Sequence, residues 1–467
     1  MSDNKRWWAL IVLAGAQFMV IMDTSIIGVA LPDMQRDLGF SPGGLQWVFN
    51  AYVVAFGGLL LLGGRLADLF GARRVFVTGW VVLIAGSVVA AAATTAWAEI
   101  AGRAVQGVGG ALIAPAAMTL LMMLFSHDPR ELGKAMALYG AAAPAGGTAG
   151  VFLGGVITEY LSWPWVFVVY VPIGLATLAA TRLLPAVRGR RGSVDLVGAV
   201  SVTAGIALVV YAIVAANWPA GLGGAALLAL FLLVQRTVRD PLMPLAIWRT
   251  PGLATANLAM ALLGAAWIPM WYFLNLYLQQ VLGYGAFAGG AALLPMTVAI
   301  MVFMIGVTAR LMGRFGAKAL IVAGLAVLAA GVAGMSGASD VAGAAGGFAA
   351  YVLPMSLVAA IGMSLAYIPA MMSAMSGARP EEAGLASGIV NTTYQVGSAL
   401  GLAVMTAVFT TYQSAAQQSA TESVASLLEG FQGAFGGAAV VAVLGAIFTG
   451  ALMRRSSVPQ VEARKTS

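Results

Sequence analysis

Arg65-Leu66-Ala67-Asp68-Leu69-Phe70-Gly71-Ala72-Arg73 and Arg310-Leu311-Met312-Gly313-Arg314-Phe315-Gly316-Ala317-Lys318 share one skeleton: Arg-Leu, three residues, Phe-Gly-Ala and a base. A second pair is Pro129-Arg130-Glu131-Leu132-Gly133 and Pro380-Glu381-Glu382-Ala383-Gly384, each opening a Gly-rich apolar run. The two offsets, 245 and 251 residues, nearly agree. The chain therefore carries an internal duplication, and the unit duplicated is set by the apolar runs around it.

Of 467 residues, 61% are hydrophobic and 9% charged, against roughly 45–50% and about 25% in soluble domains. Windows of about 19 residues place spans near Trp8–Ala30, Leu45–Leu62, Val75–Thr95, Trp97–Phe125, Lys134–Ile157 and Trp165–Leu184. Two more lie near Leu196–Ala216 and Leu222–Val238. Six follow near Leu253–Tyr277, Ala288–Thr308, Ala319–Ser336, Gly346–Met372, Ala383–Thr410 and Phe431–Met453. This is an all-α integral membrane protein of about fourteen spans. The runs are continuous, which excludes a barrel of short alternating strands. The repeats then frame two six-helix halves, residues 1–185 and 246–467, with two additional helices at 186–245. Duplicated halves around a midplane site are the architecture of secondary transporters.

The charges sort by side. One set of alternate loops holds Lys5, Arg6, Arg65, Arg73, Arg74, Arg130, Lys134, Arg182, Arg188, Arg190 and Arg191. It continues through Arg236, Arg239, Arg249, Arg310, Arg314, Lys318, Arg379, Arg454, Arg455, Arg464 and Lys465. The opposite set holds one base, Arg36, against Asp33, Asp37, Glu99, Glu159, Asp340, Glu422 and Glu429. The positive-inside rule puts the basic loops and both termini in the cytoplasm. The first span is too long for a cleaved leader and contains Asp23.

Several chemistries are excluded. With no cysteine and one histidine, His127, thiolate, iron–sulfur and imidazole-cluster metal sites have no ligands. No G-x-x-x-x-G-K-[ST] loop exists for ATP, and no nucleophile–base set marks an enzyme. No cofactor is expected beyond a proton gradient, no metal, and no nucleic acid, since the basic loops set topology.

Ionisable groups inside the hydrocarbon cost roughly 3 kcal/mol each and mark function by default. Asp23 lies about 12 Å from the outer end of the first span and Arg103 about 9 Å below the same face in the fourth, at 1.5 Å per residue. The matched depths predict that they approach each other or share one aqueous cavity. Burial opposes the charge on such a carboxyl and a guanidinium supports it, so it is poised to take up and release protons; a static ion pair is the plainer alternative. In the fifth span Gly146, Gly150 and Gly154 share one face, with Gly155 beside them, for close packing and a hinge near Pro144. Asn391, Tyr394 and Gln395 form a polar belt in the thirteenth span; with Trp271, Asn275 and Gln106 they are candidate cavity residues.

Here the residues resemble a known family. Gly64-Arg65-Leu66-Ala67-Asp68-Leu69-Phe70-Gly71-Ala72-Arg73-Arg74 resembles the signature loop of the major facilitator superfamily, and Arg103-Ala104-Val105-Gln106-Gly107-Val108-Gly109-Gly110-Ala111 its fourth-helix motif, associated with proton coupling. The glycine series, followed by Leu161-Ser162-Trp163-Pro164-Trp165-Val166-Phe167 and Val171-Pro172-Ile173-Gly174, is similar to the antiporter motif. Met22-Asp23-Thr24-Ser25-Ile26-Ile27-Gly28-Val29-Ala30-Leu31-Pro32 and Ala383-Gly384-Leu385-Ala386-Ser387-Gly388 resemble motifs of the fourteen-helix drug/proton antiporter branch. The chain departs from the pattern at Val151, where proline is usual, and at Pro164, Leu69 and Tyr170.

The resemblance implies the major facilitator fold and a proton-coupled exporter of amphipathic organic compounds, a multidrug efflux type conferring antibiotic resistance. It would sit in the bacterial cytoplasmic membrane and work as a monomer. Asp23 and Arg103 would couple protons. Gly64, Asp68, Gly71, Arg73 and Arg74 would form the gating loop, with Asp68 meeting the start of the thirteenth helix near Ala383. The same fold also accommodates a dedicated exporter or proton-coupled importer of one small metabolite.

Overall fold

Lipid offers no hydrogen bonds, so apolar runs close their backbone bonds internally as helices. The computed structural model describes residues 3–125, 127–186, 193–337, 347–376, 383–418 and 423–453, and these contain no strand. The first half comprises α1 (Asp3–Ile26), α2 (Leu31–Leu38), α3 (Pro42–Leu45), α4 (Trp47–Phe70), α5 (Ala72–Ala91), α6 (Ala96–Phe125), α7 (Pro129–Tyr160), α8 (Trp165–Val168) and α9 (Tyr170–Ala180). A helical hairpin follows, α10 (Leu196–Val214) and α11 (Trp218–Thr237). The second half comprises α12 (Leu253–Gln280), α13 (Ala286–Val302), α14 (Thr308–Phe315), α15 (Ala317–Ser336), α16 (Leu353–Ser376), α17 (Ala383–Gln418) and α18 (Ser423–Leu452).

Among the described residues, thirteen helices are long and apolar enough to cross a membrane, against the fourteen expected. The difference lies at Ala288–Thr308. There the 17-residue α13 runs through a π-helical turn, Phe303–Val307, into α14, so the apolar α-helix is short. Five acidic residues expected in loops are instead helical: Asp33 and Asp37 in α2, Glu99 in α6, Glu159 in α7 and Glu429 in α18. For Glu159 and Glu429 the hydropathy windows stop short of the helix end, because a charge lowers the average while the backbone continues. Arg188, Arg190, Arg191, Asp340, Arg379, Pro380–Glu382, Glu422, Arg454, Arg455, Arg464 and Lys465 lie outside the described residues.

The two motif turns share one backbone conformation. Gly71 joins α4 to α5 at φ +92° and Gly316 joins α14 to α15 at φ +80°, a region that disfavours a side chain. Each turn feeds a close helix pair. A methyl group at Gly109 of α6 would stand 2.6 Å from Leu83 N of α5, and one at Gly362 of α16 would overlap Leu328 N of α15. Small residues at these crossings let the backbones meet where lipid provides no hydrophobic drive.

We call the face where α1 begins the near face and the opposite one the far face. α1 and α7 start together on the near face, where Arg6 and Glu131 pair at 3.2 Å. The two halves meet chiefly through α7 with α13 and α4 with α17, while α10 rests on both α4 and α17. Arg65 ties this hairpin to the signature loop, through Asp240 at 3.3 Å and the Ser193 carbonyl at 3.3 Å.

Candidate functional site

Asp23, in the last turn of α1, and Arg103, two turns into α6, are completely buried and face each other. Arg103 Nη1 donates to Asp23 Oδ2 at 2.7 Å and to Gln106 Oε1 at 2.8 Å, and its Nε donates to the Val48 carbonyl at 2.8 Å. The guanidinium lies over the Tyr52 ring, 4.6 Å from its centre, with Phe167 at 5.9 Å. Gln106 in turn donates to Ser87 Oγ at 2.8 Å, and Ser87 to the Leu83 carbonyl. Four helices, α1, α4, α5 and α6, thus converge on one cation. Two groups of the pair keep unused capacity: Asp23 Oδ1 and Arg103 Nη2 are buried without a hydrogen-bond partner.

The glycine series explains how Asp23 is held. Methyl groups at Gly146, Gly150 and Gly154 of α7 would run into the carbonyl oxygens of Phe18, Met22 and Ile26, the last two at 2.8 Å and 2.6 Å. These are successive turns of α1 bracketing Asp23, so α7 clamps its backbone. Gly155 points the other way: a methyl there would stand 2.7 Å from Ala286 O of α13, and one at Gly290 would stand 2.6 Å from Val151 O. One helix therefore packs on the ion-pair helix with one face and on the second half with the other.

The remaining sequence-derived residues separate into four places. Gln106 belongs to the Arg103 cluster and is fully buried. Trp271 and Asn275 of α12 are also buried; the Trp271 indole fills the space above Gly28, and Asn275 donates to the Trp271 carbonyl at 2.8 Å. In α17, Asn391 donates to its own helix at Ser387, Tyr394 stands edge-on to Tyr367 at 5.4 Å, and Gln395 packs on Gly57 of α4. At the signature loop Gly71 makes the turn, Gly64 packs near Pro115, Arg73 is half-buried, and Asp68 and Arg74 are exposed. Ion pair and polar belt are thus in opposite halves.

Sequence reading missed Glu99. It lies on α6 four residues before Arg103, is fully buried, and neither carboxyl oxygen has a hydrogen-bond partner. The spacing Glu99, Arg103, Gln106 puts all three on one helix face, a signal masked by counting Glu99 with the loops.

The halves are hydrogen-bonded at the far face, while α4 and α17 also meet along their length, Leu61 against Gly388. Gln279 donates to the Val29 carbonyl at 3.1 Å, Gln280 to Gln35 at 3.2 Å, and the Phe287 N–H to Glu159 at 3.4 Å. The Phe152 and Phe287 rings meet edge-on at 6.1 Å.

The model of the family described as Major Facilitator Superfamily matches residues 13–402. A cephamycin export protein of Amycolatopsis lactamdurans is 41% identical over 408 residues, covering 84% of this chain and 83% of the relative. A puromycin resistance protein of Streptomyces alboniger is 38% identical over 412 residues, covering 86% and 81%. Among solved structures, a peptide transporter of the POT family superposes with TM-score 0.69 at 17% identity over 97% of this chain and 98% of its own. A nucleoside transporter does so with TM-score 0.68 at 14% identity over 96% and 100%. At these identities the structural likeness is one of fold.

Proposed function

The chain belongs to the major facilitator superfamily, and on that premise we propose that it is a proton-coupled exporter of amphipathic organic compounds, antibiotics among them. It is a multi-pass membrane transporter of small molecules and not an enzyme. In the proposed reading it sits in a bacterial cytoplasmic membrane as a monomer, with the near face and both termini cytoplasmic. The observation that carries the coupling is the buried Asp23–Arg103 pair at 2.7 Å.

A proton arriving from the far side neutralises Asp23 and removes its attraction for Arg103. The clamp of α7 on α1 passes that change to α13, because Gly155 and Gly146 lie on one helix. The far-face contacts between the halves, and Asp68 exposed on the near face, support an inward-facing arrangement here. In the alternate state Asp68 meets the N-terminus of α17, where exposed N–H groups favour a carboxylate. Aromatic and apolar walls supply substrate binding, as in most small-molecule pockets; Tyr367, Tyr394 and Asn391 are candidates. Gly71, Arg73, Arg74 and Gly64 shape the near-face gate.

The test is puromycin uptake into inverted membrane vesicles under an imposed pH gradient. Asp23→Asn should abolish uptake while the protein still inserts; undiminished uptake refutes the coupling role. A second reading, export of a single compound, is favoured by the relatives' names, which specify cephamycin and puromycin singly. Competition by unrelated toxic amphiphiles separates the two.

A further inference from the structure

Arg103 has one nitrogen more than its partners use, and Glu99 has two oxygens that nothing uses. Both groups are fully buried, on the same face of α6, one turn apart. Glu99 stands three residues inside the start of α6, about 4.5 Å along the axis from the far-face end, and Arg103 about 6 Å deeper. Trp97, two residues before Glu99, is widely exposed. Glu99 therefore lies between the far-face surface and the ion pair.

The charged and titratable groups around it are few. Asp23 comes from α1, Tyr52 from α4 and Tyr170 from α9, all gathered about Arg103 on α6 itself. α5, packed along α6, carries no titratable group at that depth; Ala90 meets Gly102 there. On α7 the carboxylate nearest the far face, Glu159, turns to α13. No hydrogen-bond donor meets Glu99, so a carboxylate there would be unpaired in an environment without solvent, whereas the neutral acid needs no counter-ion.

We infer that Glu99 is a second proton-binding site, which carries a proton in this conformation and passes it to Asp23 while Arg103 exchanges one carboxylate partner for the other. The inference rests on the proposed coupling role of Asp23. In the step, the O–H bond at Glu99 breaks and one forms at Asp23. Arg103 stays charged and its free Nη2 turns one helical turn toward the new Glu99 carboxylate. The cluster holds one cation, one anion and one proton before and after, so no net charge is left buried. When Asp23 later releases its proton toward the near face, Glu99 takes another from far-face water.

Infrared spectroscopy of the purified protein at neutral pH reads the Glu99 acid directly. The carbonyl band of a buried carboxylic acid should be present in the unmodified chain, lost in Glu99→Gln and retained in Asp23→Asn. No such band, or its persistence in Glu99→Gln, overturns the inference. In vesicles, Glu99→Gln should lose pH-gradient-driven puromycin uptake but keep puromycin–puromycin exchange, which needs no net proton movement; undiminished driven uptake in this variant also overturns it. The two ideas fail separately: undiminished driven uptake in Asp23→Asn refutes coupling through Asp23, whereas the infrared band decides Glu99 without transport.

Discussion

Arg103→Met is the most informative single perturbation, because the structure states what it removes. The variant keeps the apolar stem under Tyr52 but loses hydrogen bonds to Asp23, Val48 and Gln106, and leaves the Asp23 carboxylate buried without a counter-charge. Breaking a buried pair by deleting one partner costs about 3–5 kcal/mol. Asp23→Asn is milder: the guanidinium keeps Val48, Gln106 and the Tyr52 face, and the new amide oxygen still accepts, so the cost is about 1–3 kcal/mol. The double variant buries neither charge. Its cost should fall short of the sum of the single costs by about 2 kcal/mol, within the range for residues in one network. Reversible unfolding of the purified protein in detergent micelles, at fixed pH, measures the cycle. Additivity within about 0.5 kcal/mol would show that the pair is not energetically coupled and would remove the physical basis of the proposed switch.

Three further outcomes follow from particular contacts. Gly146→Val should destabilise by about 1–3 kcal/mol through overpacking, because its Cβ overlaps the Phe18 carbonyl. Gly140→Ala, with nothing within 4 Å of the new methyl, should stabilise by about 0.5–1 kcal/mol; thermal unfolding compares them, and equal effects would refute the α7–α1 clamp. The chain has no cysteine, so Phe152→Cys with Phe287→Cys gives an unambiguous bifunctional crosslink across the halves at the 6.1 Å ring contact. Crosslinking should stop transport and cleavage of the linker restore it; transport in the linked protein would place the moving interface elsewhere. Hydrogen bonds from the Ser193 backbone and hydroxyl, aided by Arg65 and Arg239, hold the Asp240 carboxyl below its ordinary range. The bracing of α10 and α11 on the signature loop should therefore persist above the ordinary carboxylate range and weaken as pH falls through the lowered one. Spin labels at the exposed Phe70 and Leu196 positions, which leave Arg65, Ser193 and Asp240 intact, would follow it, and an unchanged distance in Asp240→Asn would refute the brace.

The signature-loop repeat was legible because its turns demand glycine: Gly71 and Gly316 occupy the same region of backbone space, and the motif around each is its local requirement. The close approach of Asp23 and Arg103 was legible for a different reason. Helix rise converts residue number to depth, and two opposite charges at one depth in lipid have few other partners. The same arithmetic places Glu99 near a helix end, where hydropathy cannot separate a loop carboxylate from one turned inward; only the direction of the α6 face decides it. Gln106, Trp271 and Asn275 show the complementary limit. Their polarity marked them as cavity candidates, but whether a polar side chain spends its hydrogen bonds on neighbours or offers them to a ligand depends on what packs against it.

The sequence by itself determined that this chain is a helical membrane protein with the motifs of a transporter family, and which charged residues are costly to keep inside the membrane. Those properties depend on composition and spacing, which are local and additive along the chain. Tertiary structure alone decided that α7 clamps α1 with one face and α13 with the other, that hydrogen bonds between the halves join them at the far face, and that Glu99 is sealed beside the ion pair. These depend on which faces of distant helices meet, and a one-dimensional pattern of polarity does not specify that pairing.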